Sequence, residues 1–471
     1  MPPDLALLLT LGFIAYLFRR DFRERPDISG AVWVPLIWVF LVATRPVSKW
    51  LALFGFPTFL STSAEGGSPL DAFIFFSLIG TAAYILGRRQ INWSTCARDN
   101  KWVALFLLYC FAAIFWSDFP FSSFKRWIKV LGHPLIVLLL FTETQWEEAV
   151  VRIIKRCAYI IFPISICWLK YFPNLGRSHN EFGIMNNTGI AEGKNELGAL
   201  CLYFLLFLLW HLLRVLKQEK GVSRRNEIRL IGVLMLMALY CLGKAHSATS
   251  SLSFLLGAST VLLLGLRIVN KRAIGVYLAT AVILLVAAQM TVGLFDRIID
   301  WSGHEATIEG RGRLWSVLLQ TDADPMVGTG FESYWLGQRV QRIWSMPEFW
   351  WHPNQAHNGY LELYLNLGII GLCIFVAVIL ATLSGIRREL LQNLDWGRVQ
   401  LGCLLAMLAH NWTEAGFKGL SVSFFFFFLI AIKSRYDQDV LGNMEARGEP
   451  EVEVAYAMSK QGVGVETRWI A

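Results

Sequence analysis

Residues 353–384 read PNQAHNGYLELYLNLGIIGLCIFVAVILATLS. From Tyr360 onward the only charge in the stretch is Glu362, and at 1.5 Å per helical residue the run can cross about 30 Å of hydrocarbon. It reads as a membrane-spanning helix that starts just after His357 and Asn358. Upstream lies a polar segment, 292–358, that contains Gly310-Arg311-Gly312-Arg313-Leu314-Trp315 and Asp324-Pro325-Met326-Val327-Gly328-Thr329-Gly330-Phe331. A connection this long is either functional or disordered. Its Trp315, Tyr334, Trp335, Trp344, Phe349, Trp350 and Trp351 argue for a packed or ligand-binding surface.

Further apolar runs recur on both sides, at 4–18, 30–44, 70–87, 102–117, 130–142, 157–172, 196–213, 228–243, 249–266, 273–291, 399–413 and 419–434. With 360–384 they make thirteen spans, or twelve if one of the two weakest, 130–142 and 399–413, is not a span. The 471 residues are 55% hydrophobic and 17% charged, against roughly 25% charged in soluble proteins. The fold class expected is therefore all-α, a polytopic membrane helical bundle of about 12–13 transmembrane helices with one large polar loop. The net charge of +8 follows loop side and does not signal nucleic acid. Most Lys and Arg fall in alternate connections, which by the positive-inside tendency places the N-terminus outside, the C-terminus inside and segment 292–358 on the outer face. Residues 1–436 form the membrane domain and 437–471 a polar cytoplasmic tail. Met1-Pro2-Pro3-Asp4 lacks a basic leader, so the first run is expected to be retained. None of the eight Cys lies in the polar segment, and no disulfide is expected.

The same alternation collects three more polar groups on the outer face: Lys194, Asn195 and Glu196; Lys244 with Ser247, Thr249 and Ser250; and His410, Asn411, Glu414 and Lys418. An amphipathic stretch, 117–127, should lie along the interface there. Transporters tend to place ionisable groups near the bilayer midplane, whereas these sit at helix ends. That favours a site at the membrane surface. His357 has the chemistry of a general base, since an ordinary imidazole titrates near pH 6.5; the alternative is a histidine that only caps or snorkels. Arg311 and Arg313, placed just ahead of an amphipathic helix, could seat phosphate on guanidinium and helix N–H groups together. By themselves they read more simply as solvated surface charges. No metal-ligand cluster, nucleotide loop or hydrolase elbow is spelled out, and no metal or other cofactor is expected.

The set Gly310-Arg311-x-x-Leu314-Trp315, Asp324-Pro325-x-x-Gly328-x-Gly330-Phe331-x-Ser333 and His357-Asn358-x-Tyr360-Leu361-Glu362, reaching Gly368 and Gly371, resembles the O-antigen ligase and Wzy-type polymerase superfamily. It looks closest to that group's exopolysaccharide polymerases, and an O-antigen ligase-related region would cover about 195–380. The resemblance implies a GT-C-like membrane glycosyltransferase in the bacterial inner membrane with a periplasmic active site. It would polymerise undecaprenyl-diphosphate-linked repeat units into a surface or exopolysaccharide, taking a lipid-linked glycan donor and a glycan acceptor, with a chain-length regulator as a possible partner. By position His357 would be the base and Arg311 the clamp on the donor diphosphate. Arg313, Lys194, Asn195, Asn358, Tyr360, Glu414 and Lys244 would bind substrate. Ligases of the family often carry Arg-x-x-x-Leu in a middle span; this chain has Ser247-Ala248-Thr249-Ser250-Ser251-Leu252 instead, which favours polymerase over ligase. A lipid-linked oligosaccharide transporter is the alternative of a different class.

Overall fold

The computed structural model describes residues 1–23, 28–56, 67–89, 91–179, 183, 185–292 and 305–433. The expected tail at 437–471 and the first part of the polar segment, 293–304, lie outside the described residues. The chain is an all-α polytopic membrane protein, and among the described residues a single two-stranded ladder pairs Arg177–His179 with Met185–Asn187.

In chain order the helices are α1 (Pro3–Arg23), α2 (Trp33–Ala43), α3 (Val47–Leu53), α4 (Pro69–Arg88), α5 (Trp93–Asp99), α6 (Lys101–Ala112), α7 (Pro120–Phe141), α8 (Trp146–Tyr171) and α9 (Pro173–Gly176). They continue as α10 (Lys194–Val215), α11 (Val222–Ala245), α12 (Ala248–Leu264), α13 (Ile274–Val292), α14 (Glu305–Leu319), α15 (Gly337–Trp344), α16 (Gly359–Gln392), α17 (Leu394–His410) and α18 (Val422–Ala431). Every apolar run read from the sequence falls on one of them. By length and apolarity α4, α10, α11, the span Lys271–Thr291 and α16 can each cross a membrane alone. A sixth span forms if the segments before and after the 61° bend between Ala43 and Val47 count as one. Helices α6, α12 and α18 are apolar but shorter than the roughly 20 residues a straight crossing needs.

Helix α18 sits at the centre, buried at every position from Val422 to Ala431. A helix apolar all round has no solvated face to turn outward. Its Phe426 stacks near Tyr203 and Phe207 of α10, and Phe424 meets His133, Phe375 and Phe417. One end of the bundle is tied by ion pairs. Asp21 takes Arg152 at 2.7 Å and Arg156 at 2.8 Å, and Glu227 takes Arg20, Lys155 and His211.

The structure corrects three expectations. The stretch 117–127 is not a separate interfacial element: from Pro120 it is the start of α7, because proline suits the first helical position and nothing interrupts the turns that follow. Arg311 lies in the second turn of α14, not at its start, so no free helix N–H groups stand beside it. The aromatic part of the polar segment is mostly core. Leu314, Leu318, Tyr334, Ile343, Phe349, Ala356 and Leu365 are buried together, with Trp335 and Trp351 packed against them.

That small core is spliced into the membrane domain. α16 breaks at Gly368 (φ 65°, ψ −170°), which frees two carbonyls and two N–H groups. Residues 325–330 take up all four: Thr329 N donates to Leu365 O, Gly330 N to Asn366 O, Ile369 N to Pro325 O and Ile370 N to Met326 O, at 2.9–3.2 Å. Glycine is needed on both sides of the joint. A Cβ on Gly368 would stand 2.2 Å from the Met326 carbonyl carbon, and one on Gly328 would stand 2.4 Å from that of Asn366.

Candidate active site

Helix α16 begins where the sequence motif ends. The Asn358 side chain accepts the N–H groups of Tyr360 and Leu361 at 3.0 Å, the ordinary device for a helix start. Gly359 N donates to Asn411 O at 2.8 Å, and the Tyr360 hydroxyl donates to Leu408 O at 2.9 Å. Both bonds pin this start to the end of α17. The Asn358 side-chain oxygen and the Tyr360 hydroxyl are thus committed to the protein's own backbone.

His357 precedes the cap in a left-handed conformation (φ 48°), uncommon for a residue with a Cβ. Its neighbour explains how that is held. Ala356 N donates to the buried Glu362 carboxylate (2.8 Å), Ala356 O accepts from Trp315 Nε1 (2.7 Å), and Trp335 Nε1 donates to the other Glu362 oxygen (2.7 Å). Trp351 lies beside the ring, with centroids 6.2 Å apart.

Glu414, in the turn after α17, joins the two ends of the polar segment. Arg311 Nη2 donates to Glu414 Oε1 at 2.9 Å, and His357 Nδ1 lies 3.6 Å from Glu414 Oε2. Burial alone would raise the Glu414 carboxyl, but the adjoining His357 and Arg311 outweigh it and hold the group below the usual carboxylate range. Gln355 faces the same imidazole nitrogen at 3.4 Å and accepts from Lys418 Nζ at 2.5 Å. With Nδ1 turned to these groups, Nε2 has no partner among the described residues, and the His357 side chain keeps 18% of its surface exposed. A proton on Nδ1, facing the carboxylate, leaves the Nε2 lone pair directed outward.

Further polar groups close in behind. His410, buried at the end of α17, meets Ser250 of α12 at 3.2 Å, and Thr249 meets Thr413 at 2.6 Å. Gly198, one turn into α10, packs on Ser247 and Ser250, which brings the half-buried Lys194 and Asn195 to the same end of the bundle. The four groups read separately from the sequence therefore meet at one end. Two residues stand apart. Arg313 is exposed, and two positions along a helix turns it about 200° from Arg311. Lys244 is exposed over the Tyr240 ring at 5.7 Å and makes no bond to the cluster among the described residues. Glu362, Trp315 and Gln355 position the cluster; sequence reasoning gave Glu362 and Gln355 no role and read Trp315 only as part of a packed or ligand-binding surface. A lone carboxylate in the first turn of an apolar helix was the one available signal, at Glu362.

Residues 232–376 match the O-antigen ligase family (Wzy_C). They run from α11 to the middle of α16 and contain both Arg311 and His357. Over this stretch the chain is similar to the O-antigen ligase/polymerase-like superfamily. Over 311 residues it is 26% identical to the exopolysaccharide production protein ExoQ of Rhizobium meliloti (strain 1021), a match covering 62% of this chain and 66%, just under two thirds, of that protein. Glu414, which bridges the two residues, lies beyond the stretch that the family match covers.

Proposed function

We propose that the protein is a membrane glycosyltransferase that joins undecaprenyl-diphosphate-linked oligosaccharide units into a surface or exopolysaccharide, at the periplasmic face of the inner membrane. The observation that carries this reading is the bridge Arg311–Glu414–His357, which sets a partly exposed imidazole beside a guanidinium at a helix end. In the reaction an acceptor hydroxyl gives its proton to His357 Nε2 and its oxygen bonds to the donor's anomeric carbon. The bond from that carbon to phosphate oxygen breaks, and the electron pair leaves with the lipid diphosphate. Arg311 uses one guanidinium nitrogen on Glu414 and keeps further N–H donors for that leaving group. The Glu414 charge is matched by Arg311, and by the His357 imidazolium once the proton has moved, so it does not repel it. Lys194 and Asn195 flank the donor, Asn358 and Tyr360 hold the helix start that aims His357, and the exposed Arg313 and Lys244 are left for outlying parts of a long substrate.

The relative's name, exopolysaccharide production, and the absence of an Arg-x-x-x-Leu element in α12 favour polymerisation. The family description, O-antigen ligase, favours a second reading in which the glycan passes to lipid A core or protein. Purified protein supplied with lipid-linked repeat units alone separates the two. A polymerase lengthens them into a ladder, whereas a ligase consumes them only when the second acceptor is added.

A further inference from the structure

At the end of the bundle away from His357, a cavity of about 510 Å³ opens between the α5–α6 junction, the second half of α16 and the end of α18. Its volume falls within the roughly 300–1,000 Å³ typical of small-ligand sites. Four cations line it, Arg98, Lys101, Arg388 and Lys433, against one carboxylate, Asp99, which lies 3.9 Å from Arg98. Arg388 has no hydrogen bond or ion pair among the described residues. The floor is built: Asn100 accepts from Lys433 N at 2.8 Å and donates to Lys433 O at 2.9 Å, which locks the end of α18 to the start of α6. The Lys433 stem lies over Gly385, where a Cβ would stand 2.6 Å from it.

The opposite wall is apolar. Val378, Leu380 and Ala381 of α16 form it, and on the same helix Leu380 (60%) and Val376 (45%) are exposed. Cations around a space that opens onto a lipid-facing apolar helix fit one ligand chemistry: a phosphodiester headgroup with an acyl chain attached. We propose that this cavity binds the phosphate of an anionic membrane lipid, one chain of which lies along α16. The site is independent of the glycosyl-transfer chemistry: its lining on α16, residues 377–388, lies about 30–45 Å of helix away from His357 at the rise of an α-helix.

Native mass spectrometry of the delipidated full chain tests this with phosphatidylglycerol and phosphatidylcholine of matched acyl chains. Retention of phosphatidylglycerol over phosphatidylcholine is expected. An Arg98→Gln/Arg388→Gln variant should lower that retention roughly tenfold, while Arg267→Gln/Arg272→Gln, which removes two cations outside the cavity, should leave it unchanged. Equal retention of both lipids, loss in both variants, or full retention by Arg98→Gln/Arg388→Gln at an unchanged melting temperature would overturn the proposal. Displacement by millimolar inorganic phosphate would overturn it as well, since the site would then take free anions.

Discussion

In the proposed reaction the chemistry rests on one side chain and the two that set it. Replacing His357 with Ala removes the proton acceptor, and turnover should fall by about 10²–10⁴-fold with little change in melting temperature, read from product length and a thermal scan. Glu414→Gln keeps the shape but deletes the charge between Arg311 and His357. Turnover should then fall somewhere between about 10- and 10⁴-fold, in the manner of a lost orienting carboxylate, while Glu414→Asp restores part of it. The same variant has a pH signature. The Glu414 carboxyl is depressed below its ordinary 4.5, so its stabilisation is fully present above about pH 4.5 and is lost as pH falls through the lower folded value. At pH 7, Glu414→Gln should melt lower, because it leaves the half-buried Arg311 without its carboxylate. In acid the two proteins should converge; parallel melting curves at all pH values would exclude Glu414 as a charged bridge.

Among the elements, the break in α16 decides whether the polar segment is a loop or a docked domain. Gly368→Ala meets both a positive φ and the Met326 carbonyl, a cost of at least about 1–3 kcal/mol. The expected result is faster proteolysis around residues 320–350 and a lower melting temperature; wild-type protection would show that the splice is not needed. Here the limits of sequence reading have physical reasons. Apolar runs mark the helices because lipid demands them, and every such run coincides with one. The motif Asp324-Pro325-x-x-Gly328-x-Gly330 was visible as a turn, but its partners, Leu365 to Ile370, are 36–44 residues away and meet it only in three dimensions. Arg311 read as a helix start because the glycines at 310 and 312 look like breakers, yet α14 runs through them. The aromatic side chains signalled packing correctly but could not say whether against sugar or against one another.

On the scale of the whole molecule, basic residues that set the sequence-based orientation are held at one end by acids: Asp21 with Arg152 and Arg156, Glu227 with Lys155, and Asp395 with Lys217 and Arg398. Asp21→Ala should destabilise by roughly 3–5 kcal/mol, since two buried guanidiniums lose their partner. Orientation itself is checked with a cysteine-free chain. Cysteine placed at Trp350 should react with an impermeant maleimide in intact cells, and cysteine placed at Arg267 only after permeabilisation. The reverse pattern would put the His357 end in the cytoplasm.

The most direct test follows undecaprenyl-diphosphate-linked repeat units, extracted from cells lacking this chain, as they meet the purified protein in liposomes. The account predicts a ladder of lengthened glycans with wild-type protein and unextended units with His357→Gln, at equal melting temperature. A normal ladder from His357→Gln would contradict it.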